Sequence, residues 1–322
     1  MKFYETHFDE YITTSEVNNL HPSLTTLVDQ FPTDLHQMTN LILYGPSGTG
    51  KYTQMLKIIK KYSQSECKYE KRMSITFNKQ PYYFKISDIH FEIDMTLLGC
   101  NSKLLWHDIY QQIQDIVSSR SEKVGIVLCK NFHEIHNELL ENFYSYMQKN
   151  PMHMIDLKFF LLTKEISFLP DNILHCCHII HLPKPSPKDY KKCFRHRIHD
   201  YELSDQPSLC TINLKNLYLK EHHSVENHKL ICNKLLQSIK NVEQIPFSKC
   251  RDRLYDMLIY HLDISECIWY FLSSLIEDKS IQREKLSLVY LKTFQFLQYY
   301  NNNYRPIYHL EKYFYFLTTV VN

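Results

Sequence analysis

The sequence predicts an α/β domain on a parallel sheet, then a small reduced helical lid, then an all-α C-terminal bundle. Three observations carry that expectation. Short apolar runs alternate with amphipathic stretches up to about residue 185. A glycine-rich loop ending in lysine joins the first of these runs to the first helical stretch. From residue 224 onward the apolar spacing is helical throughout. Strands separated by helical segments imply crossover connections and a sheet covered on both faces.

Length and composition agree. The 322 residues exceed what one small core needs and suit two or three domains. A hydrophobic content of 44%, with 14% aromatics, excludes intrinsic disorder. No run approaches the roughly 18 apolar residues of a membrane span. The first residues, MKFYETHFDEY, carry charges where a secretory signal would be apolar. The expectation is a soluble intracellular protein with no membrane partner. A net charge of +2, from 37 Lys+Arg against 35 Asp+Glu, neither requires nor excludes nucleic acid. The ten cysteines contain no CxxC pair and read as free, mostly buried thiols. Five glycines and no alanine, beside abundant Asn, Lys, Ile and Tyr, point to an AT-rich genome, such as that of a large DNA virus or a parasite.

Taken in order, strands are expected at Leu41–Tyr44, Tyr83–Ile93, Val124–Leu128, Phe159–Thr163 and His178–Leu182. Helices are expected near 51–63, 102–118, 134–148 and 187–199. The run Pro183-Lys184-Pro185-Ser186-Pro187 interrupts the pattern and marks a boundary. A polar stretch at 204–208 and a short helical segment near 212–221 follow. Beyond these, Ile231/Leu235/Ile239, Leu254/Leu258/Leu262, Ile268/Leu272/Leu275 and Leu286/Tyr290/Leu297 each place apolar groups on one helix face. A last helix does so with Ile307, Leu310, Phe314, Leu317 and Val321. The domains expected are therefore 1–185, 186–223 and 224–322.

The loop Gly45-Pro46-Ser47-Gly48-Thr49-Gly50-Lys51-Tyr52-Thr53 carries the chemistry. It has the GxxxxGK pattern between a strand and a helix. Glycines let successive backbone N–H groups turn inward around a phosphate, the helix N-terminus adds positive potential, and Lys51 supplies a point charge. Three of the chain's five glycines are spent in this loop, although a bare strand-to-helix turn needs only one. A nucleotide, ATP or ADP, is the expected ligand. Hydrolysis is not. The residue after Lys51 should be Ser or Thr, to donate a hydroxyl to Mg²⁺, and it is Tyr52. Thr53 points about 100° further round the helix.

A hydrolytic phosphate-loop enzyme also needs a second strand ending in Asp for Mg²⁺, with a neighbouring acid to polarise water. The matching segment, Val124-Gly-Ile-Val-Leu-Cys129, runs on into Lys130-Asn131-Phe132-His133-Glu134. Lys130 at the metal position repels Mg²⁺, and Asn131 cannot act as a base. Glu134 comes two or three residues too late and reads as an acid at a helix N-terminus. The sequence describes a nucleotide pocket that binds Mg²⁺ weakly if at all.

At this point the chain resembles the small subunits of replication factor C, the sliding-clamp loader of the AAA+ superfamily. It is most similar to the subunit class whose phosphate loop reads Gly-Pro-Ser/Asn-Gly-x-Gly-Lys-Lys-Thr, which Gly45–Thr53 follows. His90-Phe-Glu-Ile-Asp94, followed by Asn101-Ser102, is similar to the family's His-x-Glu-x-Asn/Asp segment. Arg253-Leu-Tyr-Asp-Met-Leu258 resembles its Arg-Leu-Tyr-Glu-Leu-Leu, and Ile307-Tyr-His-Leu-Glu311 its Ala-Ile-Tyr-His-Leu-Glu. The resemblance implies a RecA-like AAA+ domain, a lid and a helical collar that joins subunits. It further implies, as partners, other clamp-loader subunits, the sliding clamp and, through the assembled complex, primer–template DNA. The location implied is the nucleus or a cytoplasmic viral replication site.

The departures from that family are as informative. Its N-terminal Lys-Tyr-Arg-Pro box does not appear in residues 1–15. Its first sensor Asn falls at Lys164. Its Ser-Arg-Cys motif, whose Arg reaches a neighbour's ATP, falls at His175-Cys176-Cys177, so that Cys176 replaces the arginine. Its Arg-Arg pair falls at Tyr144-Ser145, and its second sensor Arg at Lys215. The expectation is a subunit without catalytic residues. Two alternatives remain open: an active phosphate-loop ATPase or nucleotide kinase using Asp94, and an interaction scaffold that binds no nucleotide.

Three further features invite blander explanations. His175-Cys176-Cys177-His178 with His181 could suggest a metal, but adjacent residues of an extended strand face opposite sides, so no metal is expected. Lys184, Lys188, Lys191, Lys192, Arg195 and Arg197 read as the solvated face of a lid helix, with DNA phosphate as the functional alternative. Leu139-Leu140-Glu-Asn-Phe143-Tyr144 could offer an aromatic pair to a clamp, but fits a helix packed on the sheet.

Overall fold

The computed structural model describes residues 7–77, 79–99, 101–148, 155–186, 189, 224–240, 247–260, 262–300 and 305–322. The chain divides into two compact units, Met1–Tyr218 and Leu219–Asn322. The expected lid helix near 187–199 and the segment near 212–221 lie outside the described residues, apart from Asp189.

The first unit is built on β1 (Asn40–Tyr44), β2 (Lys71–Phe77), β3 (Gln80–Ile86), β4 (His90–Asp94), β5 (Val124–Lys130), β6 (Asp156–Thr163) and β7 (Cys177–His181). They form one sheet in the order β2-β3-β4-β5-β6-β1-β7. The last five strands of that order run parallel to one another. Around them lie α1 (Phe8–Val17), α2 (Pro22–Asp29), α3 (Lys51–Lys60), α4 (Ser102–Ser118), α5 (Asn137–Met147) and the short α6 (Asp171–His175). This is the α/β fold that the sequence predicts.

Two expectations need correction. The single strand Tyr83–Ile93 is two antiparallel strands, β3 and β4, and β2 pairs antiparallel on the far side of β3. The sheet is therefore mixed. The reversal is made by Ser87: its N–H donates to the His90 carbonyl at 2.8 Å, and its hydroxyl accepts from the N–H groups of Ile89 and His90. Ser and Asp at 87–88 are turn formers, and in a run of strand-favouring residues they were the one signal of a turn. Second, Glu134 does not begin a helix. It ends a 3-10 turn, Phe132–Glu134, three residues before α5 starts.

Alternation along the strands divides the core into two layers. Phe91, Ile93, Val127, Cys129, Phe159 and Leu161 face Trp106, Ile109 and Ile113 of α4 and Leu139 and Phe143 of α5. Leu41, Leu43, Ile126, Leu128, Phe160 and Leu162 face the other way, toward Phe8, Ile12, Leu24, Met55, Leu56 and Ile59. Leu139, Leu140 and Phe143 are buried against the sheet, so this run serves packing. On the second face stand α1 and α2, which periodicity did not signal because α1 buries only Phe8, Ile12 and Ser15.

The second unit contains α7 (Ser224–Lys240), α8 (Phe247–Ile259), α9 (Ile264–Glu277), α10 (Leu286–Tyr300) and α11 (Pro306–Val321). Leu235, Ile239, Leu254, Met257, Ile268, Leu272, Leu275, Leu310, Phe314 and Leu317 form its core. Arg253 donates to the Lys234 carbonyl at 2.8 Å and to the Ser238 hydroxyl, tying α8 to α7. Arg251 pairs with the buried carboxylate of Glu311, tying α8 to α11. One face assignment fails: Tyr290 is 48% exposed, and Val289, Thr293 and Phe296 point inward instead. The α10 helix is apolar around most of its circumference, so spacing alone does not choose its buried side. The Thr293 hydroxyl, 2.8 Å from that of Tyr313, marks the face that does turn in. Among the described residues, no helix is long and apolar enough to cross a membrane.

Candidate nucleotide-binding site

The phosphate loop leaves β1 at Tyr44 and enters α3 at Lys51. Its first residue is fixed by neighbours on both sides: the Gly45 N–H donates to the Thr163 carbonyl at 3.3 Å, and the Leu182 N–H donates to the Tyr44 carbonyl at 2.7 Å. A Cβ at Gly45 would stand 2.1 Å from the Leu182 carbonyl oxygen, so only glycine fits. Gly48 and Gly50 hold φ of 75° and 87°, which lets the loop curl back over the start of α3. Within the loop, the Thr49 hydroxyl donates to the Pro46 carbonyl at 2.9 Å, and Lys51 Nζ donates to the carbonyls of Gly45 and Pro46, each at 2.6 Å. The lysine head therefore lies inside the curve of the loop, beside the helix N-terminus. That is the arrangement of charge and backbone that suits a phosphate.

A second layer, not anticipated from the sequence, supports the loop. His21 is buried, and its Nε2 lies 2.7 Å from the Thr49 carbonyl. Burial lowers its pKa, so the neutral ring is favoured there. The Asn19 side-chain oxygen accepts from the His21 N–H and from Gln54 of α3, both at 2.9 Å. The segment between α1 and α2 thus clamps the loop from outside. Its only trace in the sequence is the polar Asn18-Asn19-Leu-His21-Pro22 run.

The positions expected to hold a metal are occupied otherwise. Lys130 is the last residue of β5, two residues beyond the expected end of that strand, and on the same sheet face as Glu92 of β4. The Tyr52 hydroxyl donates to Glu92 Oε2 at 2.5 Å, and Lys130 Nζ donates to Glu92 Oε1 at 3.1 Å. The same ammonium lies 4.9 Å from the centre of the Tyr52 ring, within cation–π range. Glu92 is 7% exposed, so both its oxygens are engaged in a largely dry site. Burial and the Glu92 carboxylate push the Tyr52 hydroxyl far above its usual range, which keeps it a donor. The edge of the Tyr52 ring is covered by Tyr11 of α1, with centroids 4.9 Å apart.

Asn131, in the left-handed conformation at φ 51°, donates to Asp94 Oδ1 at 3.0 Å. That oxygen also accepts from the N–H and hydroxyl of Thr96 and so caps the turn after β4. Asp94 is used structurally. Lys164 follows the last residue of β6, and Thr163 before it donates its hydroxyl to the Glu165 carbonyl at 2.7 Å. Lys215 and the basic residues from Lys188 to Arg197 lie outside the described residues.

The cysteine pair does not lie within one strand. Cys176 caps the C-terminus of α6 and only Cys177 begins β7, so the two are not strand neighbours facing opposite ways. Their sulfurs lie 3.9 Å apart, and Cys176 Sγ also donates to the Ile173 carbonyl at 3.2 Å. Among the described residues, no group of three or more His, Cys, Asp or Glu side chains is placed to hold a metal ion.

No family model matches the chain, and no curated protein matches its sequence. Among solved structures it is similar to a point variant of Thermotoga maritima RuvB, with 15% identity over 61% of this chain and 54% of that one and a TM-score of 0.38. It is also similar to the T. maritima RuvB described as a Holliday junction branch migration motor, at 16% identity over 60% of this chain and 52% of that one, with a TM-score of 0.34. For C. elegans PCH-2 the values are 13% identity, 58%, 52% and 0.33. The chain spans about half the length of the structures it matches, and similarity at this level says nothing of activity.

Proposed function

We propose that this protein is an AAA+ subunit that binds ATP or ADP without hydrolysing it, and more narrowly a small subunit of a sliding-clamp loader. The observation that carries the first part is the contrast within one site. A phosphate loop with its glycines and Lys51 is intact, while the residues at the metal and general-base positions, Tyr52, Lys130 and Asn131, are bonded to Glu92 and Asp94. Nucleotide would brace the first unit, and the chemistry would occur in sister subunits. With Cys176 in place of the family's arginine, that position supplies no charge to a neighbour's transition state.

The narrower assignment rests on sequence resemblance in Arg253–Leu258 and Ile307–Glu311. In that assignment the second unit is the collar, and the assembled ring holds the clamp and primer–template DNA. The purified protein is expected to bind a fluorescent ATP analogue with micromolar affinity and to show no ATP turnover above background. Lys51→Ala is expected to weaken that binding by tenfold or more. Turnover that disappears in Lys51→Ala would refute the reading in favour of an active ATPase, and no binding by the wild-type chain would favour a scaffold.

A further inference from the structure

A phosphate-loop site normally meets its nucleotide as the magnesium complex, the ion being held by a hydroxyl next to the loop lysine and by an acid on a neighbouring strand. Those two positions do not fit Mg²⁺ here. Tyr52 places an aromatic ring where a short hydroxyl is needed, and its own hydroxyl is 2.5 Å from Glu92. Lys130 places an ammonium where the acid is needed. The carboxylate that they share, Glu92, is 7% exposed and is bonded through one oxygen to Tyr52 and through the other to Lys130. Each of its oxygens already accepts one of these bonds.

From this arrangement we infer that Lys130 replaces the metal, and that the site binds its nucleotide without needing a divalent cation. This rests on the nucleotide-binding reading given above. Glu92 and Tyr52 hold the replacement cation: the carboxylate binds Nζ at 3.1 Å and the Tyr52 ring lies 4.9 Å from it. The stem of Lys130 is anchored at the end of β5, so the charge arrives preorganised instead of being recruited with a hydration shell. Lys51 supplies the charge inside the loop, and the Lys130–Glu92 pair stands where a metal and its acid would otherwise be. A divalent ion carried in on the nucleotide would meet an ammonium at the acid's position and, in Glu92, a carboxylate already committed to Lys130 and Tyr52.

The test is a titration of the full chain with a ribose-labelled fluorescent ATP analogue, once in millimolar EDTA and once in millimolar Mg²⁺. Affinity in EDTA equal to that in Mg²⁺ within threefold, or higher, is the expected result. Affinity more than threefold higher in Mg²⁺ overturns the inference while leaving the nucleotide reading intact. No binding in either buffer overturns both. Lys130→Met, which keeps most of the stem, is expected to lose about tenfold in EDTA and less in Mg²⁺. An equal loss in both buffers, or none, removes Lys130 from the role. Should the variant misfold, the wild-type comparison still decides.

Discussion

His90 shows how a single buried side chain sets a pH limit on this fold. It is fully buried at the start of β4, with Nδ1 2.5 Å from the Ser87 hydroxyl and its ring 4.7 Å from that of Phe8. Burial pushes its pKa down to about 3, against a weaker opposing pull from Asp88. The unfolded chain takes up a proton near pH 6.5 and the native state does not until about pH 3, so stability is full above pH 6.5 and falls as pH drops through that window. The loss is about 1.4 kcal/mol per pH unit, or about 2 kcal/mol by pH 5 from His90 alone. His21, also lowered by burial, adds in the same direction. Urea unfolding at pH 7 and pH 5 is expected to show this decline, and His90→Gln to remove about one proton's worth of its slope. An unchanged slope would mean that the ring is protonated in the fold.

At the scale of an element, the strand–loop–helix from Asn40 to Lys60 is constrained most tightly at its first glycine. A methyl at Gly45 would overlap the backbone oxygen of Leu182, and neither strand end can retreat without breaking the β1–β7 pairing. Gly99 provides the control, with φ of +63° but nothing within 4 Å of an added Cβ. Gly99→Ala is expected to cost about 1 kcal/mol, the ordinary penalty of a left-handed residue. Gly45→Ala is expected to cost about 3 kcal/mol or more, and to weaken nucleotide binding as well. Thermal unfolding of the two variants side by side measures the difference, and equal costs would show that the loop yields. The strand-end glycine is recognisable from the GxxxxGK spacing alone. Its steric cause is not, because Leu182 is 137 residues away in sequence.

Among whole-molecule features, the second unit leaves apolar side chains on its outside. Leu291 is 54% exposed and Phe294 51%, on the outer side of α10 beside Leu288 and Tyr290. A helix that is apolar on both faces is normally buried on both. In the proposed loader this outer face is part of the collar that meets sister chains. The double variant Leu291→Glu/Phe294→Glu is expected to keep its helical circular dichroism, because neither side chain serves the core. If the loader reading holds, the tagged wild-type chain is expected to recover sister chains from source cells and the double variant to lose them. Recovery of the same sister chains by the double variant would exclude this face from assembly.

The sequence by itself determined the α/β class, the strand–loop–helix around Gly45–Lys51 and the helical character of the C-terminal unit, because periodicity and glycine placement are local properties of the chain. Helix α4 was legible end to end, with Leu105, Trp106, Ile109, Ile113 and Val117 repeating on one face. The tertiary structure alone decided what Tyr52 and Lys130 are bonded to. Tyr52, Glu92 and Lys130 lie far apart in sequence, and each has an ordinary explanation by itself. They meet only because β4 and β5 pair in one register that turns Glu92 and Lys130 to the face covered by α3. The inward face of α10 belongs with them, since it depends on which surface a neighbour covers, and local composition carries no record of that choice.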